Sequence, residues 1–303
     1  MEYQEIEYIE KIDRLLDVYG MSAALSEAIG VSRRSLPNWR DRPESIKPEH
    51  RFNIDVLYCK HFLIPEWDRP GQSFAPVLLP DSLPGNETLF MPFLQRLSYG
   101  TIEIETNISR EDFDRAIVAE KLPKNMSRET FHEAVNTFFT LKWIWQKIIG
   151  HGESFVVSEE GVKQLHAGFM RGIREDAGFY SDKLRVMGRL DGVHTTLPED
   201  IPEEMNRWSY KCSGVDTLAG IAEAHAYFIA IHPFGDGNGR VGRALVMAQC
   251  LNARLMPPVF DGENRAIYYA AMEHAMKNGR SLPLIRLFHD SSLRGLSARG
   301  FGS

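Results

Sequence analysis

The chain has 303 residues, 43 % of them hydrophobic and 25 % charged, with a formal net charge of −6; that length can bury a full core and suits a large domain with a smaller one. The acidic balance argues against a nucleic-acid protein as a whole, though not against one basic helix, and three scattered cysteines, Cys59, Cys212 and Cys250, fit a reducing cytoplasm better than a disulfide scaffold. There is no run of ~18 apolar residues and no signal peptide, so neither membrane spanning nor secretion by that route is expected, and no internal repeat is visible.

At the front, Ile9, Ile12, Leu16 and Tyr19 make a helical stripe that ends at Gly20. Ser22 is placed to cap a short helix through Ile29, and Gly30 to end it. The run Val31-Ser32-Arg33-Arg34-Ser35-Leu36-Pro37-Asn38-Trp39-Arg40 follows. It resembles the helix-turn-helix of the lambda-repressor-like family, in which a second helix capped by Ser32 would enter the major groove of DNA, with Arg33, Arg34 and Arg40 as candidate contacts. Charge points the same way, since residues 1 to 30 sum to −5 and residues 31 to 60 to +3. Pro37 sits awkwardly inside such a recognition helix, and a helical docking module for a protein partner is the competing reading. This first domain is assigned to residues 1–62. Residues 63–90 read as a proline-rich linker with Pro65, Pro70, Pro76, Pro80 and Pro84.

A large domain is expected over residues 91–290, with a Ser- and Gly-rich flexible tail at 291–303. Within it, Thr101 to Glu105 alternates apolar and polar residues, the pattern of a short half-buried strand with Glu103 and Glu105 on its wet face. Val186 to Met205 is punctuated by Gly188, Gly192, Pro198 and Pro202 and reads as a surface loop. Leu218, Ile221, Ala222, His225, Phe228 and Ile229 form a helical stripe, where His225 is a core histidine rather than a catalytic one. Neither His166 nor His194 lies in a His-x-x-x-His spacing, so a structural zinc site is not expected.

The most informative run is His232-Pro233-Phe234-Gly235-Asp236-Gly237-Asn238-Gly239-Arg240-Val241-Gly242-Arg243. Gly235, Gly237 and Gly239 let the backbone approach a ligand and turn successive N–H groups toward an anion. The stripe Val241, Ala244, Leu245, Ala248 and Leu251 predicts a helix whose N-terminus receives a phosphate. Arg240 and Arg243 share a face and offer planar forks. Asp236 is a hard oxygen of the kind Mg²⁺ takes, Asn238 is a neutral donor, and His232, with an ordinary pKa of ~6.5, is the base. Phe234 is expected to anchor the loop in the core.

This run resembles the signature of Fic-domain proteins, His-x-Phe-x-Asp/Glu-Gly-Asn-Gly-Arg-x-x-Arg, and is similar to the subset that act as protein adenylyltransferases. Val162 to Gly172 followed by Gly178-Phe179-Tyr180, Leu218 to Ile231, Arg265 to Tyr269 and Leu282 to Phe288 resemble the family's flanking helices. One departure is Ser181, where the family commonly has Arg. The resemblance implies a mainly α-helical fold: an all-α catalytic domain with a short β-hairpin flap at about 186–205, preceded by the helix-turn-helix-like domain. It implies that His232 deprotonates a Tyr, Thr or Ser hydroxyl and that Asp236 holds Mg²⁺ on ATP. Gly235, Gly237, Asn238, Gly239 and Arg240 would hold phosphates and Arg243 the γ-phosphate end, while a target protein docks at the flap. Tyr268 and Tyr269 are candidates for an adenine pocket, with burial in the core as the competing reading.

Thr101 to Asn107 also resembles the family's inhibitory motif, Ser/Thr-x-x-x-Glu-Gly/Asn, with Thr106 departing from it. In segment 100–110 Glu105 would then pair with Arg243 and turn ATP to an unproductive orientation. The leading expectation is self-inhibited, Mg-ATP-dependent transfer of AMP to a protein hydroxyl. Two alternatives are removal of AMP, with Glu105 orienting water, and a DNA-binding transcription regulator that senses nucleotide. The intact His232, Asp236 and arginines weigh against pure sensing.

Overall fold

The first helices end where glycine permits it: Gly20 (φ 68°) closes α1 (Tyr8–Tyr19) by donating to the Leu16 carbonyl, and Gly30 (φ 82°) closes α2 (Ser22–Ile29) by donating to Ser26 and Glu27. In this computed structural model, the described residues are 2–83, 86–106, 108–118, 122–124, 126–185, 193 and 195–297. They form an all-helical protein in two compact units, residues 1–73 with 263–287, and residues 74–262 with 288–303.

The first unit is built on α1, α2, α3 (Ser35–Asp41), α4 (Pro48–Tyr58), the short α5 (Ile64–Trp67) and α13 (Arg265–Asn278). Its core gathers Ile12, Leu15, Leu25, Ile29, Leu36, Trp39, Ile46, Ile54 and Leu57. Lys11 is buried among them, which is tolerable because its ammonium meets Asp55 at 2.6 Å and the Tyr8 ring at 4.6 Å. Two capping expectations are corrected. Ser22 is the first residue of α2 rather than its cap, and α3 begins at Ser35 with Arg34 before it, so Ser32 caps nothing. The reason is Pro37: lacking an N–H, it fits only the first turn, and the helix starts late enough to place it there.

The second unit contains α6 (Glu87–Glu103), α7 (Arg110–Val118), α8 (Arg128–Trp145), α9 (Glu159–Met170), α10 (Ile201–Cys212), α11 (Leu218–Ile231) and α12 (Asn238–Asn252); α14 (Leu282–Ser297) begins in the first unit and ends in this one. Asn86, Ser127, Ser158 and Thr217 cap α6, α8, α9 and α11 through their side-chain oxygens. Buried faces of α11 and α12 pack together at the centre, with α10 against α11 and α8 and α9 against α12.

Three sequence expectations are redrawn. Residues 263–287 group with the first unit instead of the 91–290 domain, because the buried face of α13 packs on α4 and Glu273 and His274 pair with Lys60 and Asp68. The linker is partly structural: Val77, Leu79 and Leu83 are buried, and the backbone at 77–79 pairs with 254–256 through Leu79 N–H to Arg254 O and Met256 N–H to Val77 O. Prolines suit such an edge pairing, which needs only alternate N–H groups. The strand reading of Thr101 to Glu105 gives way to the last turn of α6 and a turn after it. Asn107 lies outside the described residues, as does His194.

Candidate active site

The loop hangs between two helix ends. At the end of α11, His232 adopts the left-handed conformation (φ 56°, ψ 55°) and donates its backbone N–H to Phe228 O. Pro233 explains why the helix stops there, since a residue before proline is pushed out of the α region. Gly237 (φ 78°) is the N-cap of α12, which starts at Asn238, three residues before the apolar stripe alone indicated. The amides from Asn238 to Arg240 therefore belong to the first helical turn, whose N–H groups lack partners within the helix.

His232 is half-buried, and its Nδ1 lies 3.3 Å from Ile229 O. A carbonyl only accepts, so Nδ1 carries the hydrogen and Nε2 keeps its lone pair. Burial pushes this imidazole below its ordinary value, outweighing the carboxylates of Glu105 and Asp236, which pull the other way. The ring is a neutral base at neutral pH.

Phe234 is the expected anchor, stacked at 3.8 Å on His166 with the rings 6° apart. His166 is the residue that sequence reasoning missed. Its Nδ1 accepts from Gly178 N–H (2.8 Å), so its Nε2 donates to Asp236 O (3.1 Å). One buried ring thus ties α9, the turn at Gly178 and the loop together. Burial lowers its pKa to about 4, keeping it neutral. No spacing in the sequence flags a partner 70 residues away.

The polar residues of the loop also hold it together. Asn238, 2 % exposed, uses Oδ1 to accept from Phe234 N–H and Nδ2 to donate to Phe234 O (2.9 and 2.8 Å). Both ends of its carboxamide meet one backbone unit, so Asn238 clamps the loop closed. Arg240, 3 % exposed, reaches Glu133 of α8 at 3.0 Å and Asp236 at 3.3 Å. Asp236 keeps its side chain 56 % exposed, with Oδ1 accepting from Gly237 N–H at 2.7 Å.

Arg243, 4 % exposed, donates through Nη2 to Glu105 Oε1 and to Thr101 O, both at 2.8 Å. The paired carboxylate and arginine are those expected from the sequence. A Cβ on Gly239 would overlap Glu105 Oε1, so that carboxylate would have to shift to make room for one. Gly100 is needed below, where α6 touches the backbone at Phe260 and a Cβ would overlap that carbonyl.

Other expected residues lie elsewhere. Tyr268 is buried in α13 and Tyr269 meets Phe52 edge-on at 5.7 Å, both within the first unit, contacts that match the core reading. Arg33 and Arg34 are exposed, while Arg40 pairs with Asp13 of α1. Most of the expected flap, residues 186–192 and 194, lies outside the described residues. Its far part is not a hairpin: residues 198–200 form a single 3-10 turn and α10 begins at Ile201, with Pro202 in the first turn, where proline is favourable. Ser181 donates its N–H to Pro233 O, and its hydroxyl accepts from Arg185 Nε at 3.1 Å.

Fold and site together define an all-helical domain whose reactive side chains are gathered on one loop before a helix N-terminus. Residues 156–250 match the Fic/DOC family, and the chain contains a Fic domain. The chain is 25 % identical over 194 residues to a probable protein adenylyltransferase of Aquifex aeolicus, covering 63 % of this chain and 59 % of that one. It is 26 % identical over 281 residues to the protein adenylyltransferase Fic of Nematostella vectensis, covering 90 % and 60 %. The chain therefore spans less than two thirds of the length of these relatives. In fold it resembles a Fic domain containing signaling protein from Bacteroides thetaiotaomicron (TM-score 0.61, 19 % identity, 78 % of this chain and 95 % of that one) and residues 134–508 of Fic-1 from C. elegans (TM-score 0.61, 17 % identity, 93 % and 98 %). No described helix is long and apolar enough to cross a membrane.

Proposed function

We propose that the chain transfers AMP from ATP to a Tyr, Thr or Ser hydroxyl of a protein, itself included, and that Glu105 restrains the reaction. The observation that carries this reading is a neutral His232, its Nδ1 hydrogen fixed on Ile229 O, placed one loop away from the N-terminus of α12. His232 Nε2 takes the proton of the hydroxyl as that oxygen bonds to the α-phosphorus. The bond from the α-phosphorus to the bridging oxygen breaks, and pyrophosphate leaves with the electron pair. The amides at 238–240 and Arg240 stabilise the charge gathering on the phosphoryl oxygens, so the protein contributes position and electrostatics more than covalent chemistry.

Asp236 fits a hard divalent cation. Its carboxylate is exposed enough to share a metal with phosphate oxygens and water, and Gly237 N–H fixes one of its oxygens. Mg²⁺ bound there would neutralise charge on the α- and β-phosphates of ATP. Arg243 suits the γ-phosphate end, and the ion pair with Glu105 takes up that guanidinium.

The test uses wild-type, Glu105→Gly and Glu105→Gly/His232→Ala protein with Mg²⁺ and ATP labelled at the α-phosphate. Label on protein is expected with Glu105→Gly and none with the double variant, while all three bind nucleotide. Equal labelling with and without His232 would remove the base from its role.

A further inference from the structure

The three glycines of the loop face three different surroundings. A Cβ on Gly239 would point at Glu105 and Arg243, the phosphate end. One on Gly237 would point into the floor, at Met170 and His166. One on Gly235 would lie 2.9 Å from Arg174 Nη2, 3.0 Å from Arg185 Nη2 and 3.1 Å from Asp176 Oδ2. Two guanidinium groups thus converge on Gly235, between His232 and Asp236.

The two are not equivalent. Arg174 is satisfied by a bidentate pair with Asp176, at 2.6 and 2.8 Å. Arg185 donates Nε to Ser181 Oγ, and Ser181 in turn donates its hydroxyl to Lys183 O and its N–H to Pro233 O. Among the described residues Arg185 pairs with no carboxylate. Holding a guanidinium by Nε leaves its two Nη groups as a planar fork, the geometry that reads a carboxylate. Of the two guanidinium groups on this face, Arg174 carries its own carboxylate and Arg185 carries none among the described residues, while the neighbouring Asp236 is held by Gly237 N–H and Arg240.

We infer that Arg185, seated on Ser181 above Gly235, recognises an Asp or Glu side chain next to the hydroxyl that is modified, and so selects acidic sequences in the protein substrate. This rests on the AMP-transfer reading. The γ-phosphate end, marked by Arg243, lies at Gly239, so a side chain reaching Gly235 comes with the chain that brings its hydroxyl to His232.

The probe is a set of nine-residue peptides with one central Thr, Tyr or Ser, in which Asp, Asn or Lys is walked through the flanking positions. With Glu105→Gly protein and α-labelled ATP, Asp at one or two flanking positions is expected to raise labelling about tenfold over Asn. Arg185→Gln should remove that preference without changing nucleotide affinity, Arg185→Lys should keep part of it, and Arg185→Glu should turn it toward Lys. The same peptides, dye-labelled, are followed by fluorescence anisotropy without nucleotide. If Glu105→Gly protein labels neither the peptides nor itself, the transfer reading fails, while tighter binding of Asp peptides that Arg185→Glu reverses still supports the acidic-recognition site. A preference untouched by Arg185→Glu, or equal binding of Asp and Asn peptides, overturns the inference. A tenfold loss of nucleotide affinity in Arg185→Gln does so too, by placing the guanidinium on the nucleotide.

Discussion

Glu105 and Arg243 stand 138 residues apart in the chain and 2.8 Å apart in space, with Oε1 of one on Nη2 of the other. The carboxylate is 32 % exposed and the guanidinium almost fully buried, so water weakens the attraction without abolishing it. Shortening the reach by one methylene should break the contact. Glu105→Asp is expected to raise labelling by α-labelled ATP at least severalfold, and Glu105→Gly by an order of magnitude or more. Thr101 O still accepts from Arg243 in both, so the loss of stability should stay near ~1 kcal/mol, read as a small fall in Tm.

Gly100 tests the same restraint from below. A side chain there would drive α6 off the Phe260 carbonyl, and Glu103, whose carboxylate accepts from Gly262 N–H at 2.8 Å, would lose its seat. Gly100→Ala should cost about 2 kcal/mol or more, the scale of overpacking against backbone. Labelling should rise as well, because the turn that carries Glu105 follows directly on α6 and moves with it; a lower Tm with unchanged labelling would separate the helix position from the restraint.

Glu133 holds Arg240 from α8, a role that lies in neither motif. Burial raises its carboxyl against the pull of Arg240, so the pair balances a desolvation cost against an ion pair. Glu133→Gln keeps a hydrogen-bond acceptor and removes the charge. Nucleotide affinity is expected to fall about tenfold by isothermal titration, with the helix content in circular dichroism unchanged. Unaltered affinity would mean that Asp236 alone positions Arg240.

Acid should loosen the second unit through its buried histidines. His166 titrates at about 4 in the folded protein and His225 at about 3, both lowered chiefly by burial, with Arg243 adding to the effect at His225. The unfolded chain takes up these protons near ~6.5. The unfolded state therefore binds more protons between those limits, so stability is complete above ~6.5 and declines as the pH falls toward ~4. For His166 alone the loss by pH 4 is on the order of 3 kcal/mol. Denaturant melts between pH 7 and 4 should show this slope, and His166→Gln should reduce it; a slope unchanged by His166→Gln would assign the acid sensitivity elsewhere.

Much of the architecture was legible in the sequence because it depends on neighbours in the chain. The stripe from Leu218 to Ile229 marks α11, glycines at 20 and 30 mark helix ends, and the proline after His232 marks the stop before the loop. The twelve residues from His232 to Arg243 place base, carboxylate and arginines on one turn by local geometry alone, and the Fic resemblance rested on them.

Other features were not local and the sequence left them open. Alternation in Thr101 to Glu105 suits a strand as well as a helix end, and packing of α6 against α8 and Phe260 decided for the helix. The motif did not show that Asn238 clamps the loop, both ends of its carboxamide meeting Phe234. The first unit recruited α13 because its apolar face found α4, a contact across some two hundred residues. His166 and Glu133 carry no signature, since the partner that each holds is supplied only by folding. Short-range spacing and backbone preference were thus determined by the sequence as written; which distant groups share a buried, desolvated place was decided by the tertiary structure, where a polar group must find a partner or bear the cost of lacking one.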